Sequence, residues 1–110
     1  MGFVYYTDVN PVYEEKYLNL LKEIVLEILK GKKCKVYLFG SRARGDYTRA
    51  SDADIGIEGL SKKEFIMAKW KIEEMVEESI IPFEVDIINL EDVSDNFKKE
   101  IFKDAVVWRS

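Results

Sequence analysis

Gly40-Ser41-Arg42-Ala43-Arg44-Gly45, followed by Ser51-Asp52-Ala53-Asp54-Ile55-Gly56-Ile57, decides the fold of this 110-residue chain. The first segment opens on a glycine directly after the apolar run Val36–Phe39, which reads as a short strand stopped by a sharp turn. In the second, Asp54–Ile57 reads as another strand. Residues two apart on a strand face the same side, about 6.6 Å apart along it. Asp52 and Asp54 are therefore expected to present their carboxylates together, while Ile55 and Ile57 face a core.

Working outward, Asn10-Pro11 has the form of a helix start, with Asn as the cap and Pro in the first turn. Tyr17, Leu20, Leu21, Ile24, Val25, Ile28 and Leu29 recur at helical spacing until Gly31 ends the run. Ser61-Lys62-Lys63-Glu64 is a capping box for a second long helix with Phe65, Ala68, Ile72, Met75 and Val76 on one face. Pro82 breaks the chain, and Phe83–Ile88 alternates as a third strand. Ser94 caps a last helix through about Lys103, before a short strand at Val106–Trp108. The element order is α-β-β-α-β-α-β over a single expected domain, residues 1–110. The fold class is mixed α/β (α+β), a small mixed β-sheet packed with helices.

Composition narrows the chemistry. The chain is 47% hydrophobic and 35% charged, so it is expected to be globular. It contains no histidine and a single cysteine, Cys34, which rules out His-based acid–base catalysis and internal disulfides. Cys34 is read as a small apolar residue at the head of the first strand. The net charge of −4 argues against stable nucleic-acid binding by phosphate neutralisation. No apolar run approaches the roughly 18 residues needed to span a membrane, and the N-terminus lacks a signal-peptide pattern, so a cytoplasmic location is expected.

The chemistry left to these residues is that of phosphate and hard metal ions. Gly40 lets a phosphate approach the main chain, and the Ser41 hydroxyl and following amides are donors for its oxygens. In the third strand, alternation places Phe83, Val85 and Ile87 on one face and Asp86 on the other, beside Glu84. If that strand neighbours the Asp54 strand, Asp86 becomes a third carboxylate. Such an all-oxygen set suits Mg²⁺, and two ions about 3.5–4 Å apart would serve a phosphoryl-type displacement. The Walker pattern fails, because Asp46 follows Gly45 where Lys is required. The dinucleotide fingerprint fails at Arg42.

The pairing of Gly40-Ser41-x-Ala43-Arg44-Gly45 with Ser51-Asp52-x-Asp54 and a later strand aspartate, Asp86, resembles the nucleotidyltransferases of the DNA polymerase beta superfamily. In length the chain is similar to the minimal nucleotidyltransferases, which are paired as antitoxins with HEPN-family toxins. The resemblance covers roughly Val36 to Ile88. It implies a nucleotidyltransferase fold in which Gly40, Ser41, Arg44 and Ser51 contact the nucleotide. Asp52, Asp54 and Asp86 would ligate Mg²⁺ and carry catalysis, with Asp86 also helping to deprotonate the acceptor hydroxyl. It further implies transfer of AMP from ATP to a tyrosine hydroxyl of a HEPN toxin, in a homo- or hetero-oligomer. Two other readings stay open: an antitoxin that binds nucleotide and acts by steric block, and a small-molecule (antibiotic-type) nucleotidyltransferase completed by a partner subunit.

Several residues carry plainer expectations. Arg42 and Arg49 are read as surface charges, and Glu58 and Glu84 as the rim of the carboxylate site. Ile66 and Trp70 lie off the buried face of their helix, covered either by the N-terminal Phe3-Val4-Tyr5-Tyr6 segment or by a partner.

Overall fold

The computed structural model describes residues 11–48 and 50–110, and the side chains from Glu14 onward. The elements follow the expected order with one addition. Helix α1 (Pro11–Ile28) leads to strand β1 (Lys35–Phe39), a single-turn helix α2 (Ser41–Arg44) and strand β2 (Ala53–Glu58). Helix α3 (Lys62–Glu77), strand β3 (Val85–Asn89), helix α4 (Asp95–Asp104) and strand β4 (Val106–Arg109) complete the chain. The Asn10 cap and the Phe3–Tyr6 segment lie outside the described residues, as does Arg49.

The four strands form one sheet in the order β3-β2-β1-β4. β1 is antiparallel to both β2 and β4, whereas β2 and β3 run parallel. A parallel pair cannot be joined by a hairpin, and α3 supplies the crossover. The capping box forms as read: Ser61 Oγ accepts from Glu64 N at 3.2 Å and Glu64 Oε1 accepts from Ser61 N at 3.0 Å. Ser94 Oγ likewise accepts from Phe97 N at 3.1 Å.

The period-2 alternation of the strands divides the core between two faces. Val36, Leu38, Ala53, Ile55, Ile57 and Ile87 pack with Leu21, Val25 and Leu29 from the α1 segment and with Phe65, Ala68 and Ile72 of α3. On the other face Phe39, Leu90 and Ile101 form a smaller cluster, and Tyr37 meets Phe102 of α4 with ring centroids 5.0 Å apart. Cys34 is buried with the larger cluster. Met75, expected on the buried face of α3, is instead 47% exposed, at the flank of the stripe formed by Phe65, Ala68, Ile72 and Val76. Ile66 and Trp70 are more than half exposed.

Asp54 and Asp86 lie on the smaller-cluster face, at the sheet end where β1 finishes and where β2 and β3 begin. α4 packs over β1 on that face, and Asp86 at this end is exposed.

Candidate functional site

The site is assembled from three consecutive sheet edges. β1 ends at Gly40, whose φ of 77° and ψ of −158° fall in a region that only glycine occupies comfortably. The turn closes through Ala43 N and Arg44 N, each donating to Gly40 O at 3.1 Å, and through Gly45 N donating to Ser41 O at 2.9 Å. Those three amides are thus consumed by the turn itself.

Gly40 has a second reason to be glycine. Phe39 pairs with Asp54 across the β1–β2 ladder, and a Cβ on Gly40 would stand 2.2 Å from Asp54 Oδ2. The Gly40 turn and the Asp54 carboxylate are packed against each other, and only the missing side chain permits it. Gly40→Ala is therefore expected to cost about 1–3 kcal/mol in backbone strain alone and to displace Asp54. Urea unfolding and the transfer assay below would measure the two effects; an alanine variant unchanged in both would contradict the contact.

β3 pairs with β2 in parallel register, with Asp86 opposite Asp54 and Ala53 N donating to Glu84 O at 2.9 Å. Asp54 is half-buried, while Asp52, just before β2, and Asp86 are exposed. Among the described residues, no three His, Cys, Asp or Glu side chains converge closely enough to hold a metal ion by themselves. The sequence led to one cluster of Asp52, Asp54 and Asp86; the structure pairs Asp54 with Asp86 but does not bring the three together as a metal-holding group, and Asp52 stands just before β2 rather than on it. The charges still act on one another. Burial, then the Asp86 and Asp52 carboxylates, push Asp54 up to about 6, while Arg44 pulls it down.

That shift has a sign that can be measured. The folded chain holds the Asp54 proton more tightly than the unfolded chain. Its contribution to stability is therefore full below pH 3.8 and is lost as pH rises to about 6. Comparing unfolding free energies at pH 5 and pH 7 for wild type and Asp54→Asn should show this loss in the wild type only. Equal pH dependence in the two proteins would refute the shift.

Of the other expected contacts, Arg44 is exposed and its Nε donates to Asp46 Oδ2 at 3.3 Å, within electrostatic reach of Asp54. Ser51 is occupied in shaping its own loop: its Oγ accepts from Thr48 N at 2.9 Å, and its amide donates to Thr48 O at 3.1 Å. Glu84 is exposed near Asp86, as read. Glu58 is not at the rim of the site; it lies at the opposite end of β2, paired with Lys98. Four residues of strand separate it from Asp54, about 13 Å.

Arg42 is the larger correction. Expected at the surface, it is 4% exposed, and its Nη1 donates to Glu14 Oε1 of α1 at 2.9 Å. Its Nε donates to Ser51 O at 3.0 Å and its Nη2 to Thr48 O at 3.4 Å. The guanidinium also lies over the Phe83 ring, 3.9 Å from its centroid, and over Tyr47 at 4.8 Å. Glu14 is 28 positions away and Phe83 is 41, so no local spacing announces the cluster.

Comparison with known proteins bears on the family and the fold. The family model described as the nucleotidyltransferase domain matches residues 18–108. MntA of Haemophilus influenzae, described as a probable protein adenylyltransferase, is 33% identical over 72 residues. That match covers 66% of this chain and 62% of the relative, so the chain spans less than two thirds of the relative's length. Among solved structures, a candidate minimal nucleotidyltransferase superposes with a TM-score of 0.65 at 21% identity, over 83% of this chain and 92% of the other. A tri-AMPylated Shewanella oneidensis HEPN toxin in complex with MNT antitoxin gives a TM-score of 0.57 at 18% identity, over 82% and 70% of the two chains. At these identities the structural likeness is one of fold. With the family model matched across most of its length, and with the glycine–serine turn set against the paired aspartates, this chain belongs to the nucleotidyltransferase domain family.

Proposed function

We propose that this chain is a magnesium-dependent nucleotidyltransferase that moves AMP from ATP to a tyrosine hydroxyl of a HEPN-family toxin, and so acts as its antitoxin. The observation that carries the reading is the Asp54–Asp86 pairing in parallel register, with the Gly40 backbone packed on the Asp54 carboxyl. One sheet end thereby offers a phosphate turn and carboxylates on adjacent strands. The relatives supply the substrate class: one is described as a protein adenylyltransferase, another as an antitoxin bound to an AMPylated toxin.

The donor set fits magnesium. All its groups are oxygens, and the pairing of Asp54 with Asp86 on adjacent strands suits an ion usually held by one or two carboxylates together with substrate phosphates. When bound there, Mg²⁺ would polarise the phosphate oxygens and favour ionisation of the acceptor hydroxyl.

The chain's own residues do the rest. Gly40 and Ser41 would hold the triphosphate against the turn, and Arg44 would offset part of its charge. Asp54, ionised near neutral pH, would hold the nucleotide–metal unit beside Asp86. Asp86 would take the proton of the incoming hydroxyl. That oxygen bonds to the α-phosphorus, the bond to the bridging oxygen breaks, and pyrophosphate leaves.

The test is to incubate the protein with α-labelled ATP, Mg²⁺ and the product of its neighbouring gene. Label should appear on a tyrosine of the partner and be lost with Asp52→Asn/Asp54→Asn. If that variant silences the partner as well as the wild type, the chain works by steric block and the enzyme reading fails.

A further inference from the structure

We propose that Arg42 is a positioning residue that sets the Asp52–Asp54 arm relative to the phosphate turn and to the Asp86 strand. The inference deepens the nucleotidyltransferase reading given above.

Arg42 stands on the first turn after Gly40-Ser41, so its backbone belongs to the segment proposed to grip the triphosphate. Its side chain leaves that segment and enters the loop before β2. There it donates to both Ser51 O and Thr48 O, the two residues whose mutual hydrogen bonds close the loop. Asp52 follows directly, and Ala53 N is then fixed to Glu84 O. The guanidinium face rests on Phe83, immediately before Glu84 and three residues before Asp86.

One buried cation thus touches the loop that delivers Asp52 and the leader that delivers Asp86, while its backbone forms the turn between Ser41 and Ala43. Glu14 of α1 fixes the guanidinium from behind through a buried ion pair. Arg42 suits this role because its planar fork can donate in several directions at once while stacking on aromatic rings. Lysine supplies the charge without the fork. Asp52 lies just before the β2 ladder, so its placement follows from the loop that Arg42 binds.

The experiment uses Arg42→Lys and, independently, Glu14→Gln, each shown by circular dichroism to be folded. Amide hydrogen exchange is read at Thr48, Ser51 and Ala53, whose N–H groups are bonded within this arm, and at β1 and α3 as internal controls. Binding of Mn²⁺ as a spin probe is followed in the same proteins. In Arg42→Lys, exchange at the three amides should accelerate at least tenfold with the controls unchanged, and the Mn²⁺ half-saturation should rise severalfold. In the transfer assay kcat should fall by more than tenfold while the KM for ATP changes less than threefold. Glu14→Gln should show the same local pattern more weakly.

Unchanged exchange at the three amides, or acceleration shared equally with the controls, would overturn the positioning role. So would an exchange effect without any change in Mn²⁺ binding. If Arg42→Lys does not fold, the same criteria apply to Glu14→Gln. Exchange and Mn²⁺ binding are measured without turnover. A wild type that transfers no AMP therefore refutes the proposed function and leaves the positioning role to be decided by those two readouts.

Discussion

Asp54→Asn is expected to reduce AMP transfer by on the order of a thousandfold, about 4 kcal/mol of transition-state stabilisation, while making the ligand-free protein more stable at neutral pH. The two effects share one cause. Asp54 is the most buried of the three aspartates, and it carries its charge against burial and against Asp86 and Asp52. In the ligand-free fold that charge is unfavourable, and asparagine removes it at almost no change in volume. In the reaction the same charge is what a cation and a triphosphate would meet. A residue that costs stability and supports chemistry is the expected pattern for a functional site. Labelled-AMP transfer measures the first effect and urea unfolding at pH 7.5 the second. Mg²⁺ should raise the melting temperature of the wild type more than that of the variant. A transfer rate within tenfold of wild type would remove Asp54 from the mechanism.

Arg42→Met should destabilise the fold by about 3–5 kcal/mol, because it leaves the Glu14 carboxylate buried without its partner. For a domain of this size, that is a large part of the roughly 5–15 kcal/mol that separates folded from unfolded. The Arg42 side chain has no exposed surface and that of Glu14 very little, so solvent screening offers little relief. The double variant Glu14→Gln/Arg42→Met should recover part of the loss, since no uncompensated charge remains. The recovery should not be complete, because the carbonyls of Ser51 and Thr48 also lose their donor. Urea unfolding of the two single variants and the double variant gives the coupling directly. If the double variant loses the sum of the two single losses, the Glu14–Arg42 pair contributes nothing of its own.

The sequence was legible wherever a local rule governs the outcome. The capping box at Ser61, the Ser94 cap and the alternation in β2 and β3 each act over a few residues, and each forms as read. Strand ends moved by a residue or two because pairing with a neighbour, not propensity, terminates a strand: β3 begins at Val85, where its partner Ala53 begins β2. Met75 was misplaced because it sits at the flank of the Phe65–Ala68–Ile72–Val76 stripe, and helical periodicity does not say how wide a stripe the core covers. Glu58 was misplaced for a similar reason: nearness in sequence along a strand becomes distance in space.

What the sequence by itself determined is the chemistry. With no histidine and one cysteine, the glycine–serine turn and the Asp52/Asp54 pair offer oxygen donors, and spacing alone puts those residues in order. Tertiary structure decided three matters that spacing could not. It made Asp86 the neighbour of Asp54, because the parallel crossover through α3 sets which strand lies beside β2. It set Asp54 Oδ2 against Gly40, giving that glycine a steric requirement beyond its turn. And it buried Arg42 against Glu14 and Phe83. Sequence patterns report what a residue does to its near neighbours, whereas burial and charge pairing depend on which distant segments the core draws together.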